Sequence, residues 1–261
     1  MRDEFVGDVG DFGKYILLKE LRAIAGPEVK IGINWYYNTR PATAFRYLFD
    51  DKYWLCDLTL FAHLKGIHAC RMPRLSVITD GGFLEGCLSY DVPIPYVATT
   101  PAQRKTDRGK WFDGSLEVLK DANMVFLDPD NGLPPYNKES ISDNNIISAK
   151  AKKPREVTKS HVDAVKYAFP DEVRDYYNDK NHSKSVILYQ HQNRKETKTF
   201  EDWFLKEINK IKPDGNQIII RCPRYVPRYY ALIAKTTEHH KLFTKLNKEL
   251  MDNYPLLFEK V

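Results

Sequence analysis

The sequence predicts a Rossmann-like α/β fold with a mixed sheet, and three observations predict it. Apolar strand-like runs alternate with helical periodicities along most of the chain. The run Met124-Val-Phe-Leu is wholly apolar and stops at a polar turn, as a strand buried on both faces does. The final two strand-like runs, 217–221 and 229–234, are joined by a short link holding Pro223 and Pro227. That link is too short for a crossover, so the pair is antiparallel and the sheet is mixed.

The elements follow in order. Residues 11–25 carry apolar side chains at helical spacing, capped by Asp8 or Asp11 and stopped by Gly26-Pro27. Residues 31–37 read as a buried strand, 42–48 as a short amphipathic helix and 57–67 as a helix. Residues 75–79 and 95–99 read as extended pieces, the first closed by Asp80-Gly-Gly82. A helix over 101–122 leads into the strand 124–128, and 134–159 is a polar insertion with the basic run 150–155. A helix over 156–168, a strand over 185–191 and a helix over 199–211 precede the antiparallel pair, and a terminal helix begins near Glu238. Neither a repeat nor a composition break divides the chain, so 1–261 is expected to be a single domain.

Composition narrows the setting. The chain has 40 Lys and Arg against 35 Asp and Glu, a net charge of +5, so its preference for anionic partners must be local. Four cysteines without a CxxC pair suit a reducing, cytoplasmic protein. No apolar run approaches the ~20 residues of a membrane span, and the first residues lack a basic cap with an apolar core, so neither a membrane nor a secretory route is expected.

In open α/β sheets, ligands bind beyond the carboxyl ends of the strands. That rule selects Tyr36 to Asn38, the loop Asp128-Pro129-Asp130-Asn131-Gly132 and the segment Gln190 to Arg194. The Asp-Pro loop is the most informative, because two carboxylates at a buried strand end exceed what a turn needs. Asp128 with the Pro129 carbonyl can orient an exocyclic amine; Asp128 and Asp130 can equally hold Mg²⁺ or Mn²⁺ for phosphodiester hydrolysis. His191 offers acid or base chemistry, Gln190 and Asn193 can read a base edge, and Arg194 suits a phosphate. Arg224 and Tyr225, in a run that interleaves arginine with tyrosine, suit phosphate contact and base stacking. The glycine-rich start Gly7-Asp-Val-Gly-Asp-Phe-Gly-Lys14 is either a ligand cover or a capped helix.

Asp-Pro at the end of the fourth strand, a following strand-helix unit and an antiparallel last pair resemble the S-adenosylmethionine-dependent amino-methyltransferases. The helix start Asp11-Phe-Gly-Lys14 is most similar to the Asp-x-x-Lys of the enzymes that methylate adenine N6 in ribosomal RNA. The resemblance implies methyl transfer from S-adenosylmethionine to an exocyclic amine of a DNA or RNA base. It implies a catalytic loop of Asp128, Pro129, Asp130 and Asn131 with His191, and a cofactor held near Asp11, Lys14, Tyr36, Tyr37 and Asn38. It implies target contacts from Gln190, Asn193, Arg194, Arg224 and Tyr225. The turn after the first strand has no glycine, and Asp130 and Asn131 stand where the family has proline and an aromatic residue. A metal-dependent nuclease or phosphohydrolase using Asp128 and Asp130, and a non-catalytic binding protein, are the alternatives.

Overall fold

The computed structural model describes residues 1–40, 51–69, 75–79, 82, 84–97, 100–134, 157–178, 184–192, 196–223 and 226–261. The helices are α1 (Val9–Ala25), α2 (Leu58–Ala69), α3 (Leu75–Thr79), α4 (Pro101–Val118), α5 (Pro170–Asn178), α6 (Thr197–Ile211) and α7 (Thr237–Asn253). The strands are β1 (Ile31–Asn34), β2 (Leu88–Tyr90), β3 (Met124–Leu127), β4 (Ser185–His191), β5 (Gln217–Cys222), β6 (Arg228–Ile233) and β7 (Glu259–Lys260). They form one sheet in the order β2-β1-β3-β4-β6-β5-β7. The first four strands run parallel, and β6 lies antiparallel between β4 and β5. The expected α/β mixed sheet is thus present.

Alternation along each strand divides two cores. Ile33, Phe126, Ile187 and Tyr230 face α1 and α7, where they meet Phe12, Leu17, Phe243 and Leu246. Val125, Leu127, Leu188 and Tyr229 face α4, α5 and α6, where they meet Phe112, Val173 and Phe204. Each such buried side chain contributes roughly 1.5–3 kcal/mol, so both faces must be covered for the short parallel strands to persist.

Several expected elements differ. β1 ends at Asn34, before the predicted residue 37, because the Asn34 side chain captures the Tyr36 amide at 3.1 Å and Tyr36 takes a φ of 45°. Residues 75–79, expected as a strand, are α3: a short apolar run has no periodicity to distinguish the two, and Asp3 accepts the Leu75 amide at 2.8 Å. β2, in a stretch where the sequence predicts no element, supplies the edge beside β1. The helix expected over 156–168 is only a 3-10 turn at Val162–Lys166, followed by α5 with Pro170 as its first residue. Arg108 explains the break: its guanidinium takes the Ala164 and Tyr167 carbonyls at 2.9 and 2.7 Å, acceptors that a continuing helix would use. The predicted helix 42–48 and most of the polar insertion lie outside the described residues.

Candidate functional site

Strand parity builds the site. Beyond β3, Asp128 continues the face of Met124 and Phe126, the face that α1 covers, and so meets Lys14. His191 at the end of β4 and Arg228 at the start of β6 stand opposite each other in register on that same face. With the α1 start and residues 1–5 they line a cleft of about 390 Å³ at the carboxyl rim of the parallel strands.

Its charges are arranged in linked pairs. Lys14 Nζ lies 2.8 Å from both Asp11 Oδ1 and Asp128 Oδ2, and all three residues are buried. Burial opposes charge on Lys14, but the two carboxylates outweigh it and raise its pKa. Burial dominates at Asp128 and raises its pKa against the pull of Lys14 and the Met1 amino group. Asp130 goes the other way: burial is outweighed by the Met1 amino group and by Arg2, which keep its carboxyl below the usual range. Asp130 Oδ2 accepts from Arg2 Nε and from Asn38 Nδ2, both at 2.7 Å. Two aspartates one residue apart therefore differ in proton affinity.

Asp8 caps α1 by accepting the Asp11 amide at 2.9 Å, and it pairs with Arg228 at 3.4 Å. Arg228 also donates to the Tyr189 hydroxyl at 3.2 Å. A Cβ at Gly10 would lie 2.3 Å from Arg228 Nε, so this glycine clears the path of the guanidinium. Burial and the charge of Arg228 push the pKa of His191 down to about 4, leaving the imidazole neutral at physiological pH. Tyr189 is pushed up to about 12, chiefly by burial, and its ring lies 5.1 Å from Lys14 Nζ.

The loop itself is held from below. Gln190, on the opposite strand face from His191, accepts the Leu133 amide at 2.6 Å and donates to the carbonyls of Asn131 and His191 at 2.8 and 3.0 Å. From above, residues 166–168 take the Asn131 amide and give the Ala168 amide to the Gly132 carbonyl, both at 2.9 Å. The Arg108–Glu172 pair anchors that segment through bonds of 2.7 and 2.9 Å, with the Tyr36 hydroxyl 3.2 Å from the same carboxylate.

The structure brings Asp128, Pro129, Asp130, Asn131, His191, Asp11 and Lys14 to one cleft. Asn38 supports it through Asp130. Three expected contributors are elsewhere. Tyr36 packs in the second core at 5.1 Å from Trp111, Tyr37 is bound to Asp3 at 2.7 Å, and Gln190 is committed to the loop. Asn193, Arg194, Arg224 and Tyr225 lie outside the described residues. Alternation extended past Asn34 would have placed Tyr36 in the second core; no sequence signal marks Met1 or Arg2 as site residues.

The basic runs also resolve differently. Arg108 is buried away from the cleft, Arg228 is largely buried in the cleft wall, and Arg221 pairs with Glu259 at 2.5 Å. The carboxylates proposed for Mg²⁺ or Mn²⁺ are taken up by Lys14, Arg2, Asn38 and the Met1 amino group, a donor set that does not fit a divalent ion. Among the described residues no three His, Cys, Asp or Glu side chains gather as metal ligands. No helix among them is long and apolar enough to cross a membrane.

Fold and site together define a Rossmann-like α/β protein with a charged cleft at the carboxyl rim of its sheet. No family model, curated protein or solved structure matches the chain.

Proposed function

We propose that this chain is an S-adenosylmethionine-dependent methyltransferase acting on an exocyclic amine of a nucleic-acid base, with adenine N6 as the first target to test. One observation carries the reading: Asp128-Pro129 ends the central strand β3 at the floor of an open cleft, two strands from the reversed β6. The reversed strand between β4 and β5 accords with the antiparallel last pair of the resemblance.

The cleft chemistry fits the amino-acid end of the cofactor. Arg228, in the cleft wall, suits its carboxylate. Tyr36 packs in the second core and Tyr37 bonds Asp3, so neither faces the cleft. When bound, the cofactor supplies an electrophilic methyl group. Asp128 accepts a hydrogen bond from the target amine, the Pro129 carbonyl accepts the second, and the nitrogen lone pair is left facing the cleft. Asp128, with its raised pKa, is the adjacent acceptor for the proton that the amine loses. Neutral His191 and the Tyr189 ring form the side wall.

Calorimetry with S-adenosylmethionine and its demethylated product, followed by methyl transfer to DNA and RNA oligonucleotides, tests the proposal. Both compounds are expected to bind, and Asp128→Ala to lower methyl transfer about 100-fold or more. Absence of binding at millimolar concentration, or full activity in Asp128→Ala, overturns it.

A further inference from the structure

Gln190 spends its whole amide on backbone. It is 2% exposed; its Oε1 accepts the Leu133 amide at 2.6 Å, and its Nε2 donates to the Asn131 and His191 carbonyls at 2.8 and 3.0 Å. Both amide hydrogens and the oxygen are thereby engaged. The loop is shaped around this group: Gly132 takes a φ of 86° and passes so close that a Cβ would stand 2.2 Å from Gln190 Oε1. Because one NH2 group serves both carbonyls, the backbones of Asn131 and His191 are tied through a single plane. These two residues line the cleft with Asp128 and Pro129. They come from different segments, the loop after β3 and the end of β4, and the β3–β4 ladder stops at the pair Leu127 and Leu188. Beyond that pair, the Gln190 amide links the loop to β4.

We infer that Gln190 is a positioning residue: its amide fixes the Asp128–Asn131 loop against the end of β4 and so sets the distance between the Asp128–Pro129 acceptors and the His191 wall. Its effect on turnover rests on the methyl-transfer reading; the clamp itself does not. A target amine has to meet the Asp128 carboxylate and the Pro129 carbonyl together, and a misplacement of ~1 Å can cost about 100-fold in rate. Gln190 is not among the residues that line the cleft, so its loss removes no ligand contact. The expected signature is a fall in kcat with little change in KM.

Two substitutions separate the parts of the clamp. Gln190→Met keeps the length of the side chain and removes all three bonds, whereas Gln190→Glu keeps an acceptor for the Leu133 amide and sets a carboxylate oxygen against the two carbonyls. Gln190→Met carries the test alone if the buried carboxylate of Gln190→Glu prevents folding. Amide hydrogen exchange and methyl transfer to oligonucleotides are measured under conditions where each variant is folded. In Gln190→Met the Leu133 amide should exchange about tenfold faster, while the Ile187 and Leu188 amides of β4 keep their wild-type rates. In both variants kcat should fall about tenfold or more, with KM within about twofold of wild type. Unchanged exchange at Leu133 in Gln190→Met, or equal acceleration along β4, overturns the clamp. Wild-type methyl transfer with kcat retained in the variants, or with KM raised at constant kcat, overturns the positioning role and leaves the methyl-transfer reading standing. Selective acceleration at Leu133 in Gln190→Met with no methyl transfer by wild type does the reverse: it supports the clamp and removes the reading.

Discussion

Gly132 and Gln190 show how single residues set the Asp-Pro loop. Gly132 has a φ of 86°, and a Cβ there would lie 2.2 Å from Gln190 Oε1. Backbone strain and steric conflict then act together. Gly132→Ala is expected to destabilise the protein by about 2–4 kcal/mol, read from the urea midpoint. His191 sets a pH dependence. Its folded pKa of about 4 lies below the ordinary value, so its contribution is complete above about pH 6.5. Below that the unfolded chain takes up a proton that the folded site refuses, and stability falls as pH drops towards 4, by at most about 3 kcal/mol. The buried carboxylates Asp11 and Asp128, raised by burial, have the opposite sign, so the His191 effect is isolated as wild type minus His191→Gln. That difference should flatten above pH 6.5; a flat difference down to pH 4 would show that His191 protonates freely.

At the scale of elements, the segment 162–168 becomes part of the site because α4 reaches under it. Arg108 is 2% exposed and binds Glu172 by two nitrogens, as well as two carbonyls of the segment. Removing it leaves the Glu172 carboxylate buried with less compensation. Arg108→Ala should cost about 3–5 kcal/mol. It should also speed hydrogen exchange at Asn131 and Ala168, whose amides bond to and from the segment, before it affects β3. Equal acceleration throughout the sheet would mean that the pair supports the whole fold and not this segment.

Across the whole molecule, one sheet separates two cores, and β3, β4 and β6 contribute alternate residues to both. Neither core can lose its strands without exposing the other. A single unfolding transition is therefore expected, with circular dichroism and tryptophan fluorescence coincident; two separated transitions would contradict this coupling. The coupling also fixes the cleft, because its residues come from the ends of these shared strands and from the α1 start that packs on them.

The sequence alone determined the helix and strand alternation, the antiparallel last pair and the location of the rim, because side-chain periodicity and proline punctuation are local properties. It also marked Asp128, Asp130, His191, Asp11 and Lys14, whose residue types are costly to bury unless paired. Only the tertiary structure decided the partners. Lys14 joins Asp128 across 114 positions and Arg2 joins Asp130 across 128. It also made residues 75–79 a helix. The physical reason is the same throughout: the energy of a buried charge or a short apolar run depends on which distant group faces it, and packing alone supplies that group.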